Sequence, residues 1–106
     1  MFFNHEKVRR HLLRKGRVYT LRDHKIREGR HRLVHGSYFK NTCLGYGTVH
    51  LVRRLRKVEP RALSPYLKDS GMKTAREWID AFLGFTKGKV PRSVYLLRVD
   101  MISAHS

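Results

Sequence analysis

Short apolar runs, interrupted everywhere by arginine and lysine, restrict the fold of this chain more than any single motif. The longest of these runs have three or four residues, as in Val94–Leu97. A helix that crosses a membrane needs about 20 apolar residues, and a secretory signal needs roughly 7–15. The pattern therefore predicts neither a membrane-spanning helix nor an exported protein. The single cysteine, Cys43, agrees with the reducing cytoplasm, where we expect the protein to act.

Positive charge is distributed along the whole chain. Lysine and arginine number 24, against 8 aspartates and glutamates, for a net charge of +16 over 106 residues. Residues 1–50 hold 12 basic and 3 acidic residues, and residues 51–106 hold 12 and 5. A disordered basic tail would concentrate the charge at one end, and a network of ion pairs would need both signs. The charge therefore predicts a basic folded surface with a polyanionic partner.

The periodicity of the apolar residues predicts a single α+β domain over residues 1–106. We expect helices over 5–15, between 64 and 71, and over 74–84, and strands over 18–22, 31–35, 48–58 and after Pro91. The strands do not alternate with helices as in βαβ units. The natural assembly is a small, curved, mainly antiparallel β-barrel flanked by two or three helices. Mixed parity in residues 48–58 indicates a bulge in that strand.

The most clearly marked element is the helix after Thr74. Thr74 and Glu77 have the spacing of a capping box, and Gly84 is placed to end the helix. Trp78 belongs to an apolar stripe at helical spacing, so we expect it in the core rather than on a base-stacking surface.

Metal and cofactor sites are not predicted. His31 and His35 would lie about 13 Å apart on a strand, too far to share a zinc ion. The pair Gly45 and Gly47 lacks the third glycine and the helix of a dinucleotide-binding loop, and we interpret it as a turn.

Basic residues interleaved with aromatic ones are the strongest functional signal. This arrangement suits single-stranded nucleic acid, whose bases stack on rings and whose phosphates contact cations. The candidate nucleic-acid-binding residues are Arg17, Arg22, Lys25, Arg27, Arg30, Arg32, Tyr46, Arg53, Arg54 and Arg56.

The order of several motifs resembles the ASCH domain of the PUA-like superfamily, over about residues 2–102. Residues 16–22 are similar to its opening strand, Gly45 to Val52 to its central strand, and residues 63–72 with the Trp78 helix to its helical insertion. The resemblance implies a PUA-like barrel with a cleft between barrel and insertion, and a connection with RNA. Some members hydrolyse the amide of an acetylated cytidine, and others are linked to RNA cleavage.

The resemblance also implies catalytic positions. Thr20 takes the place of the family's threonine, Arg17 that of its lysine, and Ser70, beside Asp69, that of its glutamate. Arginine stays protonated and cannot serve as a general base. We therefore predict an RNA-binding module in which Arg17, Thr20 and Arg22 line one cleft, with Lys25 and Asp69 or Ser70 at its rim. The alternatives are an amidohydrolase or ribonuclease acting on RNA or modified nucleosides, and a basic subunit that docks on an acidic protein.

Overall fold

The computed structural model describes residues 1–104 as an α+β fold, in which a four-stranded antiparallel sheet carries three helices and a 3₁₀ helix. In chain order the elements are α1 (Glu6–Lys15), β1 (Arg17–Arg22), β2 (Gly29–Gly36), β3 (Asn41–Leu55), α2 (Pro60–Leu63), the 3₁₀ helix (Ser64–Asp69), α3 (Ala75–Phe85) and β4 (Val94–Ala104). The predicted fold class and antiparallel sheet are confirmed. In this part of the chain no helix is long and apolar enough to cross a membrane.

The sheet has the strand order β1-β4-β3-β2, and its two faces differ in polarity. Val18, Val99 and Val49 pair across three strands on one face, and all three are fully buried. We call this the inner face. The neighbouring row, Arg17, Asp100 and Thr48, lies on the opposite face, which we call the outer face. The alternation follows from the two-residue period of a strand.

The edges of the sheet are not joined into the barrel that the sequence predicted. Val34 of β2 forms an isolated parallel bridge with Phe2, and within residues 1–104 β1 pairs with no strand other than β4. The Arg22 side chain instead reaches from β1 to the carbonyl oxygen of Phe2, with an Nη2–O distance of 2.7 Å. The contact between β1 and the amino-terminal segment is thus a side-chain hydrogen bond and not a strand ladder, and the sheet is open.

β3 carries the bulge that its mixed parity predicted, between Leu51 and Arg53, and a second one between Tyr46 and Gly47 that was not predicted. The predicted turn at Gly45 and Gly47 is wrong, because both glycines lie inside β3. A Cβ atom on Gly47 would lie 2.8 Å from the Asp100 carbonyl oxygen and 2.9 Å from Leu33 Cδ1. This glycine therefore permits close packing of the inner face rather than a change of chain direction.

The helices pack against the sheet and one another. α1 buries Val8 and Leu12, and Gly16 ends it in the left-handed conformation (φ 76°). Thr74 caps α3 by accepting a hydrogen bond from the Glu77 amide at 3.0 Å, as the capping motif predicted.

The helical insertion before α3 differs from its prediction. The chain is already helical from Pro60, and residues 64–69 form a 3₁₀ helix rather than an α-helix that begins at Ser64. Ser64 makes no capping hydrogen bond, because it continues the preceding turn of α2 with helical backbone angles. α3 extends past Gly84 to Phe85, and Thr86 caps its end.

Candidate nucleic-acid interface

The β1 residues that were predicted to line one cleft lie on opposite faces of the strand. Thr20 and Arg22 have the same parity and line a pocket at the β1 edge, whereas Arg17 has the opposite parity and lies on the outer face. Arg17 therefore does not reach the Thr20 pocket. Lys25 is exposed in the loop after β1, close in sequence to the pocket residues Asp23 and His24.

The pocket at the β1 edge is a cavity of about 230 Å³ between the amino-terminal segment, β1, α1 and α3. Five aromatic side chains form much of its wall. They are Phe2, Phe3, Trp78, Phe82 and Phe85. Trp78 is 3% exposed, which confirms its predicted position in the core. Phe85, at the mouth of the cavity, is 63% exposed. We call this cavity the aromatic pocket.

Arg22 is the charged group of the aromatic pocket. Its guanidinium lies 5.3 Å from the centroid of the Phe3 ring and donates a hydrogen bond to the Phe2 carbonyl oxygen. Burial lowers the pKa of Arg22 to about 10, and the nearby charge of Asp23 only partly opposes this shift. No carboxylate of residues 1–104 forms a salt bridge with it, so a desolvated cation keeps free N–H donors beside an aromatic cavity.

Two further polar side chains line the aromatic pocket. Thr20 is buried, with its side chain on the same face of β1 as Arg22. His5 stands at the start of α1, and its Nδ1 atom is buried without a hydrogen-bond partner among residues 1–104. Polar atoms of this kind are normally satisfied in native proteins, so these side chains offer bonds to a polar ligand.

The Arg17 side of β1 has a different chemistry. Asp100 binds Arg17 Nε at 2.5 Å and Arg98 Nε at 2.9 Å, and His50 Nε2 lies 3.9 Å away. Burial would raise the pKa of Asp100, but the hydrogen bonds from Arg17 and Arg98 outweigh it and lower that pKa below its usual value. The same contact raises the pKa of Arg17. Here the protein itself supplies a carboxylate partner to Arg17, although Arg17 and Arg98 share that one carboxylate.

Asp69 and Ser70 lie outside the aromatic pocket. Asp69 Oδ1 is 3.0 Å from His11 Nε2 and borders a broad, open depression that also includes Arg17. Ser70 is fully buried; its hydroxyl donates to the Leu67 carbonyl and accepts from the Met72 amide. Ser70 therefore stabilises a turn, and neither residue is brought close to Thr20 in one site.

The outer face of β2 and β3 combines arginines with an aromatic ring. Arg32 pairs with Tyr46 and Arg30 with Thr48, so both arginines flank the ring. The Arg30 guanidinium lies 5.3 Å from the Tyr46 ring centroid, within cation–π distance. All three side chains are exposed.

The remaining predicted cations gather at the other end of β3. Glu28 accepts a hydrogen bond from the Leu51 amide, which holds the loop after β1 against the end of β3. This contact brings the exposed side chains of two segments to one end of the sheet: Lys25, Arg27, Arg53, Arg54 and Arg56. Seven residues separate Tyr46 from Arg53, or about 23 Å along a strand. The predicted cations therefore form two groups, one at each end of β3.

The sequence pattern missed several groups of the aromatic pocket, namely Phe2, Phe3, His5 and Phe85. The sequence signal that could have found them is the position of the aromatic residues, just before α1 and at the end of α3. No cluster of three or more potential metal ligands occurs within residues 1–104. The chain matches no protein-family model, no curated protein and no solved structure.

Proposed function

We propose that the protein binds RNA or another single-stranded nucleic acid, and that one base of the strand enters the aromatic pocket. The observation that carries this proposal is the Arg22 guanidinium, a desolvated cation without a carboxylate partner. Its lowered pKa reflects burial, which disfavours the charged form of the side chain. A ligand that accepts hydrogen bonds from Arg22 would offset this cost.

A nucleobase fits the chemistry of the aromatic pocket. Its flat faces stack on rings such as Phe85, and its edge carries the oxygen and nitrogen acceptors that Arg22 and Thr20 can bind. The phosphates on either side of the inserted base need cations, which the basic surface supplies at Lys25 and Arg27. The high net charge would attract the strand over longer distances.

The relation to the ASCH domain is part of the same proposal. Its support is the order of the elements: β1 follows a helix that ends at Gly16, two glycines lie in the central strand, and the Trp78 helix follows an insertion. The open sheet of this protein differs from the closed PUA-like barrel that the resemblance implies. We also propose a cytoplasmic location, since Cys43 is a free thiol.

Hydrolysis of a modified nucleoside is a second candidate function, favoured by the position of Thr20 in the aromatic pocket. Three observations disfavour it. Arg17 lies on the opposite face of β1, Asp69 is paired with His11, and Ser70 is buried in a turn. Turnover of acetylcytidine by the purified protein, lost in Thr20→Ala, would establish the enzyme instead of the binder.

The binding proposal is tested by titrating a labelled single-stranded RNA at several salt concentrations. If about five phosphates are contacted, log K should fall against log salt with a slope of about −3.5, at ~0.7 per phosphate. Phe85→Ala should weaken binding, and Leu13→Ala, a matched loss of an exposed apolar side chain on α1, should not. Absence of binding at low salt would refute the proposal and leave an acidic protein as the partner to seek.

A further inference from the structure

The turn between β2 and β3 presents two aromatic rings to solvent. Phe39 is 96% exposed and Tyr38 is 81% exposed, and their rings meet edge to face at 5.3 Å between centroids. We call this pair the aromatic tip. Exposed aromatic pairs are costly in water and are typical of surfaces that bind a partner.

The aromatic tip is held in place by its own turn. The Ser37 amide donates to the Lys40 carbonyl at 2.8 Å, and the Lys40 amide donates to the Ser37 hydroxyl at 3.1 Å. The Asn41 side chain donates to the carbonyl oxygens of Ser37 and Tyr38. The rings therefore project from an ordered support, which reduces the entropy lost when they bind a partner.

Asn4 connects the aromatic tip with the aromatic pocket. Asn4 lines the pocket, and its side-chain amide both donates to the Gly36 carbonyl at 2.9 Å and accepts from the Gly36 amide at 2.8 Å. Gly36 ends β2, directly before the turn. The Asn4–Gly36 contact therefore joins one edge of the aromatic pocket to the base of the β2–β3 turn.

The charge around the aromatic tip has one sign. The hairpin from Gly29 to Val52 contains no acidic residue, and its lysines and arginines are Arg30, Arg32 and Lys40. Lys40 lies in the turn itself, and Arg32 donates to Asn41 at its base. A partner must therefore be anionic and must offer apolar faces to two rings, and a single-stranded nucleic acid has both properties.

We infer that the aromatic tip is a second stacking site for the same strand, and that it binds another unpaired base of the strand whose first base enters the aromatic pocket. This inference rests on the proposed function. It specifies the ligand further, since a strand that reaches both sites must be longer than a mononucleotide and must be unpaired at both positions. An anionic membrane surface is the competing occupant of the tip.

The test compares short and long RNA ligands with variants of each site. Tyr38→Ser/Phe39→Ser should weaken binding of a 12-nucleotide single strand about tenfold, because stacked bases contribute strongly to affinity. The same variant should bind a cytidine mononucleotide as the unchanged protein does. Phe85→Ala should weaken binding of both ligands.

Controls separate stacking from loss of apolar surface. Tyr38→Phe/Phe39→Tyr keeps both rings and should retain affinity, and Val90→Ser, at an exposed valine elsewhere, should change nothing. Thermal unfolding of every variant should match the unchanged protein, since the substituted rings are exposed.

The outcomes distinguish this inference from the proposed function. Normal binding of the 12-mer by the tip variant, with a loss in Phe85→Ala, would overturn the tip and leave the pocket. Failure of the unchanged protein to bind any RNA would overturn both. Tip-dependent binding to vesicles of phosphatidylcholine and phosphatidylserine, without tip-dependent RNA binding, would assign the tip to a membrane and refute the inference.

Discussion

Arg17 and Arg22 begin and end the same strand, yet their surroundings differ completely. Arg17 lies on the outer face and binds Asp100, which raises its pKa. Arg22 lies at the aromatic pocket without a carboxylate, and burial lowers its pKa to about 10. The comparison shows that a basic residue is a stronger indication of a ligand when the protein supplies it with no carboxylate partner. The cation that lacks a partner is the one that we expect to bind an external anion or acceptor.

The largest effect should come from the wall of the aromatic pocket. Trp78→Ala should lower the free energy of unfolding by about 3–5 kcal/mol, because a large buried side chain leaves a cavity. Urea unfolding followed by circular dichroism measures this change. Phe85→Ala removes an exposed ring from the same pocket and should cost far less. An unchanged midpoint in Trp78→Ala would mean that α3 does not pack as described.

The two arginines should differ in their effect on RNA affinity. Arg22→Lys keeps the charge but removes the planar donors, and should weaken binding about 10- to 100-fold, the range of a hydrogen bond to a charged group. Arg17→Lys is the matched control, and its effect should be within about threefold. A loss in Arg17→Lys without a loss in Arg22→Lys, measured by anisotropy of labelled RNA, would place the ligand on the outer face instead.

The helix that forms one wall of the aromatic pocket depends on its cap. Thr74→Ala removes the acceptor for the Glu77 amide and should reduce stability by about 1 kcal/mol. Thr74→Ser keeps a hydroxyl and should restore most of this loss. RNA affinity at temperatures well below unfolding should stay constant in both variants, because Thr74 does not line the pocket.

The smallest effect should appear on the Asp100 side, as a dependence of stability on pH. The pKa of Asp100 is lower in the folded protein than its ordinary value near 4, so its contribution is present above pH ~4 and is lost as the pH falls through the folded value. The contribution should be about 1 kcal/mol or less. Asp100→Asn should be less stable at neutral pH and lose less between pH 5 and 2. A steeper acid loss in the variant would contradict this assignment.

Local patterns in the sequence predicted the elements well, because each depends on residues close together in the chain. Thr74 and Glu77 marked the start of α3, and Gly16 marked the end of α1. Arg17 and Arg22 are also an odd number of residues apart on β1, so the two-residue period of a strand places them on opposite faces. The resemblance to the ASCH domain implied that both arginines line one cleft. In the structure they lie on opposite faces of the strand instead.

Contacts between residues far apart in the chain could not be predicted from local sequence patterns. Gly47 is a glycine because Leu33 and the backbone of Asp100 approach it from other strands. Phe2, which forms the bridge to β2, also accepts a hydrogen bond from Arg22 of β1, 20 residues away. Nothing near Asp100 in sequence identifies Arg17, 83 residues earlier, as its partner. These pairs depend on the assembled fold, and local periodicity carries no information about them.

The position of Trp78 has a spectroscopic consequence. It is the only tryptophan in the chain, and it lies in the wall of the aromatic pocket. Indole emission therefore reports on the pocket alone, whereas the aromatic tip contains tyrosine and phenylalanine. A base that enters the pocket should quench or shift this emission, and a base that stacks only on the tip should leave it unchanged. The unlabelled protein thus carries an intrinsic fluorophore that separates the filling of one site from contact with the other.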